Sequence, residues 1–358
     1  MIRLAALAVL CLLPVAATAE ALRVATFNTE LSRKGPGLML RDIAGGRDTQ
    51  VAAVVSVIAF ARPDILALQG LDWDHEGRAL DALAVQLAAA GWEMAHRFAA
   101  QPNSGRAINL DLDGDGRIGG PGDAQGYGRF SGQGGIAILS RHPIAQANVQ
   151  DFSALLWRDL PGATLPESNG YPFPTAEAQA VQRLASTGHW LVPIDTDQGS
   201  MVLLTYQAGP PVFDGPEDRN GLRNRDETRF WQLLLDGAVG TMPDLPFVLA
   251  GGANLDPQDG EGHHGAIETL LTDPRLQDPA PVSPGAAKAG SQGHRGPDAQ
   301  DTVDWPGIGR FRVDYVLPSI HWRVTGSGVI WPTPEDPSAG LVSQASRHRL
   351  VWVDLIRE

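Results

Sequence analysis

The chain has 358 residues, with 28 Lys and Arg against 41 Asp and Glu and a formal charge of −13. That charge excludes tight non-specific nucleic-acid binding, which runs on neutralising phosphates, while leaving divalent cations and small substrates less affected. One cysteine, Cys11, excludes an intramolecular disulfide, and a chain of this length buries enough apolar surface to fold without one.

The first predicted element is a leader. Arg3 precedes an apolar run from Leu4 to Val15, and Ala17-Thr18-Ala19 offers small residues where signal peptidase cuts. A membrane anchor needs about 20 apolar residues, and this run is shorter. Residues 1–19 therefore read as a secretory signal, with the mature chain in the periplasm or outside the cell. Leu10, ahead of Cys11, is not the small residue a lipoprotein site requires. No later stretch is long and apolar enough to span a bilayer, and nothing in the sequence signals an oligomeric state.

Runs of strand length follow at Leu22 to Phe27, Ile65 to Leu68, Gly135 to Leu139, Met201 to Thr205, Phe247 to Ala250, Val313 to Leu317 and Leu350 to Leu355. Between them, Thr49 to Ala61 and Arg78 to Ala90 place apolar residues at helical spacing; Asp226 to Leu235 and Gly265 to Leu271 do so more weakly. The alternation argues α/β. Three stretches rich in Gly, Pro, Asp and Ser read as long loops, near 101–134, 161–175 and 279–304. No Pro/Ser linker divides the chain, so residues 20–358 read as one domain.

Inside the first loop, Asp111-Leu112-Asp113-Gly114-Asp115-Gly116 sets acidic oxygens at alternating positions with Gly at the turn, which resembles the opening of a calcium loop. The closing Glu is missing: Gly122 stands there, with Asp123 adjacent. A Ca2+ ion bound by Asp111, Asp113 and Asp115 would order the loop; the alternative is a solvated acidic turn. Farther on, Arg219, Arg223, Arg225 and Arg229 interleave with Asp218, Asp226 and Glu227, a pattern expected of a mixed-charge surface.

Six segments, in order, carry a family resemblance: Arg23-Val24-Ala25-Thr26-Phe27-Asn28-Thr29-Glu30, Arg62-Pro63-Asp64-Ile65-Leu66, Gly135-Ile136-Ala137-Ile138-Leu139-Ser140-Arg141, Pro210-Pro211-Val212-Phe213-Asp214-Gly215, Asn254-Leu255-Asp256-Pro257 and Arg312-Val313-Asp314-Tyr315-Val316-Leu317. Together they resemble the endonuclease/exonuclease/phosphatase family, and Pro211 to Trp231 looks like an exported bacterial branch of it. The resemblance implies a four-layer α/β/β/α sandwich, two packed mixed sheets flanked by helices, with a site dependent on Mg2+ or Mn2+ where strand ends converge. It implies phosphoester hydrolysis without naming a substrate.

Such hydrolysis needs a cation on the phosphate, an activated water and stabilisation of the leaving alkoxide. Asn28 and Glu30, two apart at a strand end, share a face and match the family's paired amide and acidic metal ligand. Asn254 matches the substrate-side amide, Asp314 the carboxylate that orients an imidazole, and His348 that imidazole. Four positions depart from the family pattern. Gly70 stands for a metal-binding Glu, Gln207 for a phosphate-contacting His, Gly252 for the Asp that acts on the attacking water, and Arg347 for a metal-side Asp.

A general acid or base contributes about 10²- to 10⁴-fold, and a metal several kcal/mol besides. The changes therefore imply an exported family member whose phosphoesterase site is impaired. Arg347, a guanidinium able to bind phosphate or carboxylate bidentately, suggests an anion-binding pocket for a phosphorylated small molecule or phosphodiester; the alternative is a solvated surface charge with no ligand. The rival is an active metal-dependent phosphodiesterase or nuclease with a rearranged site, for which Asp72 is the first replacement carboxylate.

Overall fold

The computed structural model describes residues 20–358; the expected signal segment lies outside the described residues. In chain order the strands are β1 (Leu22–Asn28), β2 (Ile65–Leu71), β3 (His96–Phe98), β4 (Gly135–Ser140), β5 (Gln150–Asp151), β6 (Glu167–Ser168), β7 (Tyr171–Pro172), β8 (His189–Thr196), β9 (Gly199–Gln207), β10 (Phe247–Gly252), β11 (Val303–Trp305), β12 (Gly309–Phe311), β13 (Asp314–Pro318), β14 (Trp322–Val329) and β15 (Val351–Arg357). The α-helices are α1 (Leu38–Gly45), α2 (Thr49–Ala61), α3 (Arg78–Ala89), α4 (Ala176–Val181), α5 (Arg219–Leu235), α6 (Gly265–Leu271), α7 (Pro284–Ala289) and α8 (Ala339–Ala345).

Six strands form one sheet in the order β14-β15-β1-β2-β4-β3, and five form a second in the order β13-β10-β9-β8-β5. Both are mixed. β1 runs parallel to β2 and antiparallel to β15, while β10 runs parallel to β9 and antiparallel to β13.

Alternation along the strands sorts their side chains into layers. Val24, Ile65, Ala67 and Ile138 of the first sheet meet Val192, Leu203, Val248 and Val316 of the second in a buried core between the sheets. The intervening residues Ala25, Phe27, Leu66, Leu68 and Leu139 pack outward against α1, α2, α3 and α8. On the far side Leu204, Tyr206, Leu249 and Leu317 pack against Phe230, Trp231 and Ile267 of α5 and α6. These three apolar seams make the expected four layers.

The loops hold more structure than their composition suggests. The third contains α7, a 3₁₀ turn at Asp298–Gln300 and the start of β11, and the second contains the β6–β7 hairpin. Among the described residues no single helix is long and apolar enough to cross a membrane.

Candidate functional site

Topology alone brings the chemistry to one end. The parallel pairs β1–β2 and β9–β10 finish there with Asn28 beside Gln69 and Gln207 beside Gly252. β13 starts there with Asp314 across from Gly252, and Ser346-Arg347-His348 arrives just before β15, which pairs with β1. The residues line a cleft of about 490 Å³, with Asn28, Glu30, Asn254, Arg347 and His348 facing apolar walls that include Phe213, Trp305 and Phe311. Asp256, Asp259 and Glu261 complete its lining. A wider recess of about 750 Å³ shares Asn254 and Phe213 with the cleft and extends to Arg219, Arg223 and Glu227.

The structure brings Asp314 and His348 together. Asp314 is fully buried, and its Oδ2 lies 2.8 Å from His348 Nδ1 while accepting a 2.9 Å hydrogen bond from Thr302 Oγ1. His348 Nε2 lies 3.4 Å from the Asn28 amide nitrogen, which donates to it when the imidazole is neutral. Ser346 Oγ accepts from the His348 backbone N–H at 3.0 Å and donates to the Asn28 carbonyl at 2.7 Å. Trp305 closes over the imidazole edge-on, ring centroids 5.6 Å apart. Thr302 had no signal in the sequence, because it belongs to a loop remote from every motif.

Glu30 follows β1 with a left-handed backbone, φ 49°. Its Oε1 accepts from Arg347 Nε at 2.8 Å and also from Nη2, and its Oε2 accepts from the Arg347 backbone N–H at 2.8 Å and lies 3.1 Å from Ser346 Oγ, the weaker of that hydroxyl's two acceptors. Burial pushes the Glu30 carboxyl up, but the Arg347 hydrogen bonds and the nearby charges of His348 and Arg347 outweigh it and hold the carboxyl below its ordinary value. The bond to Glu30 in turn raises the Arg347 guanidinium.

This corrects the expectation of a free cation at Arg347: its charge is already answered by Glu30. Glu30, the carboxylate that matches the family's metal ligand, is committed to a guanidinium, whereas Mg2+ and Mn2+ require several oxygen ligands.

The four departures are built into the structure. Gly70 has φ +72° and sits at a register shift between β2 and β4; a Cβ there would meet Asn28 Oδ1 at 2.5 Å and Glu30 N at 2.8 Å. A side chain at 252 would strike the Gln207 amide, which fills that space and whose Oε1, sealed from solvent, accepts no hydrogen bond. Asn254, with φ 49°, turns its amide to donate to the Ala208 carbonyl at 2.8 Å.

Asp72 does not replace the missing Glu. It is buried, and it accepts from Ser32 Oγ at 2.6 Å, Arg33 N at 2.9 Å and Gly134 N at 3.0 Å. Those bonds staple loops together away from the cleft lining.

Asp111, Asp113 and Asp115 do converge, their ligand atoms within 4.8 Å of one another, and so could hold a metal. Burial, then the charges of Asp115 and Asp123, raise the Asp113 carboxyl. Asp123 accepts instead from the backbone of Leu112 and Gly120, at 2.9 and 2.8 Å.

The arginines of α5 are not the surface patch expected of their spacing. Arg223 is buried and donates to the carbonyls of Leu184, Gln125, Arg183 and Ala185. Arg225 and Arg229 both bind the fully buried Asp226, and Arg219 donates to the Leu112 carbonyl beside the acidic loop.

Comparison with curated proteins returns no match. Solved structures do match: an endonuclease/exonuclease/phosphatase from Beutenbergia cavernae at 19% identity and TM-score 0.54, covering 94% of this chain and 72% of that one. A family protein from Leptotrichia buccalis matches at 16% identity and TM-score 0.52, covering 94% and 99%. Sphingomyelinase C from Streptomyces griseocarneus matches at 18% identity and TM-score 0.50, covering 93% and 99%. At these identities the likeness is one of fold. A family model described as the Endonuclease/Exonuclease/phosphatase family matches residues 25–348, and the chain therefore belongs to that family.

Proposed function

We propose that this chain is an exported member of its family in which the phosphoesterase centre no longer assembles its metal and the cleft is kept for binding. The observation that carries this reading is the Arg347–Glu30 pair, a guanidinium held by the carboxylate that should take the cation. Export rests on Arg3, the apolar run and Ala17-Thr18-Ala19. Sequencing the N-terminus of secreted protein tests it; a mature chain beginning at Glu20 is expected, and retention of Met1 to Ala19 would refute it.

The activity test is hydrolysis of bis-nitrophenyl phosphate by the mature protein with Mg2+, Mn2+ or Ca2+. No metal-dependent turnover is expected. Turnover that disappears in Glu30→Ala would mean that the site is an enzyme's after all. The reading of an active hydrolase with a rearranged metal needs a second carboxylate beside Glu30, and Asp72 is committed elsewhere.

The ligand class that fits is a phosphorylated small molecule or phosphodiester, met by the Nη1 side of Arg347, which makes no hydrogen bond among the described residues, and by His348. Because Asp256, Asp259 and Glu261 also line the cleft, binding is expected at micromolar or weaker affinity. Glu30→Gln, which releases the guanidinium, should tighten it, and Arg347→Asp should abolish it. Equal binding by Arg347→Asp would end this reading. In the acidic loop, Ca2+ taken up through Asp111, Asp113 and Asp115 is the companion proposal; calorimetry should show it lost in Asp113→Asn.

A further inference from the structure

A second convergence lies behind the wall of the cleft, in the loop between α7 and β11, and no motif of the family accounts for it. His294, Asp298 and Asp301 place one ligand atom each within 4.8 Å of the others. His294 Nδ1 lies 3.9 Å from Asp298 Oδ1 and 4.0 Å from Asp259 Oδ2. Those separations are too long for hydrogen bonds. They are within the span of two ligands sharing an ion at about 2.0–2.2 Å from each.

The carboxylates are otherwise unanswered. Asp301 is 3% exposed, its Oδ2 is sealed from solvent, and it accepts no hydrogen bond; Asp298 Oδ1 is in the same condition. A buried carboxylate oxygen left this way is costly unless a proton or a cation answers it. The nearby Arg310 donates from Nη1 to the Gly290 carbonyl at 2.8 Å, and its Nε lies 3.4 Å from Asp304 without a hydrogen bond. Burial, then the charges of Asp256, Asp298 and Asp259, push the Asp301 carboxyl up to about 7, against a partial opposing pull from Arg310.

The frame around the cluster is in place. Asp259 accepts from the backbone of Arg295 and Gly296 at 2.9 and 2.7 Å, fixing the chain on either side of a ligand turn. Phe311 stacks on the His294 ring at 5.3 Å, which sets its plane. Ser283 N–H donates to the Ala299 carbonyl at 2.9 Å, tying the 3₁₀ turn back to α7. A loop this rich in Gly and polar residues has little apolar surface with which to hold itself, so its order has to come from polar contacts.

We propose that His294, Asp298 and Asp301, with Asp259 at their edge, form a site for one divalent transition-metal ion. One imidazole with two or three carboxylates suits Zn2+ and its neighbours better than Mg2+ or Ca2+, which favour all-oxygen shells. The ion would pin the loop to Asp259 and Phe311, both of which line the cleft or its edge, so metal occupancy sets the shape of the cleft wall without taking part at Glu30. This proposal is independent of whether the cleft hydrolyses or merely binds.

The test uses the mature chain stripped of metal and titrated with Zn2+ by calorimetry, beside Asp301→Asn and Asp113→Asn. The wild type and Asp113→Asn should each bind one more equivalent than Asp301→Asn. Zn2+ should raise the melting temperature of the first two and not the third. The chain has nine histidines, so surface binding is removed by this difference in stoichiometry rather than by the total. If Asp301→Asn fails to fold, His294→Gln reads the same difference at a partly exposed position, and Co2+ bound by the wild type should show d–d absorption that His294→Gln loses. Equal Zn2+ stoichiometry in wild type and ligand variants, or no uptake by the wild type, would overturn the site and leave a proton shared between Asp298 and Asp301 as the answer to the buried charge.

Discussion

Arg347 and Glu30 are 317 positions apart, and their union is the point at which sequence reading and structure diverge most. Each departure from the family pattern was legible as a letter, because Gly70, Gln207, Gly252 and Arg347 are flanked by residues that match. What the letters do to one another was not. Gln207 and Gly252 become neighbours through the β9–β10 register, which no local pattern encodes. Gly252→Asp alone forces the buried Gln207 amide aside and is expected to cost about 1–3 kcal/mol, read as a lower urea midpoint. Gln207→Ala in the same chain should recover part of that loss, since residues in contact couple by about 0.5–3 kcal/mol; strict additivity would show that the two side chains do not compete. Arg347 is 55% exposed, so screening limits the pair with Glu30 to the range of about 0.2–1 kcal/mol typical of solvent-exposed pairs. Arg347→Ala should therefore leave stability nearly unchanged, and a loss of several kcal/mol in the same denaturation would contradict that estimate.

Elements with an apolar period were legible and others were not, for reasons visible in their packing. α2 matches its expected bounds because seven of its residues face the core. α5 begins at Arg219 rather than Asp226, since the face it buries is polar, with Arg223, Asn224, Asp226, Glu227 and Thr228 inward; hydrophobic spacing cannot reveal such a helix. β8 was missed because Pro193 interrupts it, and the strand tolerates proline where β5 pairs only with Trp190 and Leu191. β2 carries the irregularity that matters for the site. Its Gly70 adopts a left-handed backbone against Asn28 and Glu30, a conformation that costs a side-chain-bearing residue about 1–2 kcal/mol before any clash. Gly70→Ala is expected to lower stability by at least that amount, whereas a neutral result by urea denaturation would show that the turn relaxes freely. Restoring the family's Glu at this position would reshape the strand end as well as add a ligand.

At the scale of the whole molecule, the core between the second sheet and α5 contains a titrating group. His189 is buried, stacks on Tyr206 at 5.5 Å and touches Phe230 and Trp231. Burial pushes it down to about 3, against a partial opposing pull from the Glu227 carbonyl at 3.1 Å. Between pH 3 and about 6.5 the unfolded chain then binds a proton that the folded one refuses, so stability rises with pH across that window and falls as pH drops through it. The urea midpoint should decline from pH 7 to pH 5 in the wild type and decline less in His189→Gln; parallel declines would assign the acid sensitivity elsewhere. The layered fold itself was largely readable, since the seven expected strands all lie in the two sheets, whereas convergence at one end depends on strand order and on the meeting of distant segments. The interlock of Gln207 with Gly252, described above as geometry, also has a consequence for reversibility. A chain that carries both regains the family's acid at 252 most readily when 207 changes first, because the Gln207 amide occupies the space a side chain at 252 would enter. Libraries that randomise 207 and 252 together avoid that clash, whereas a route back to hydrolysis also has to change Gly70 and free Glu30 from Arg347.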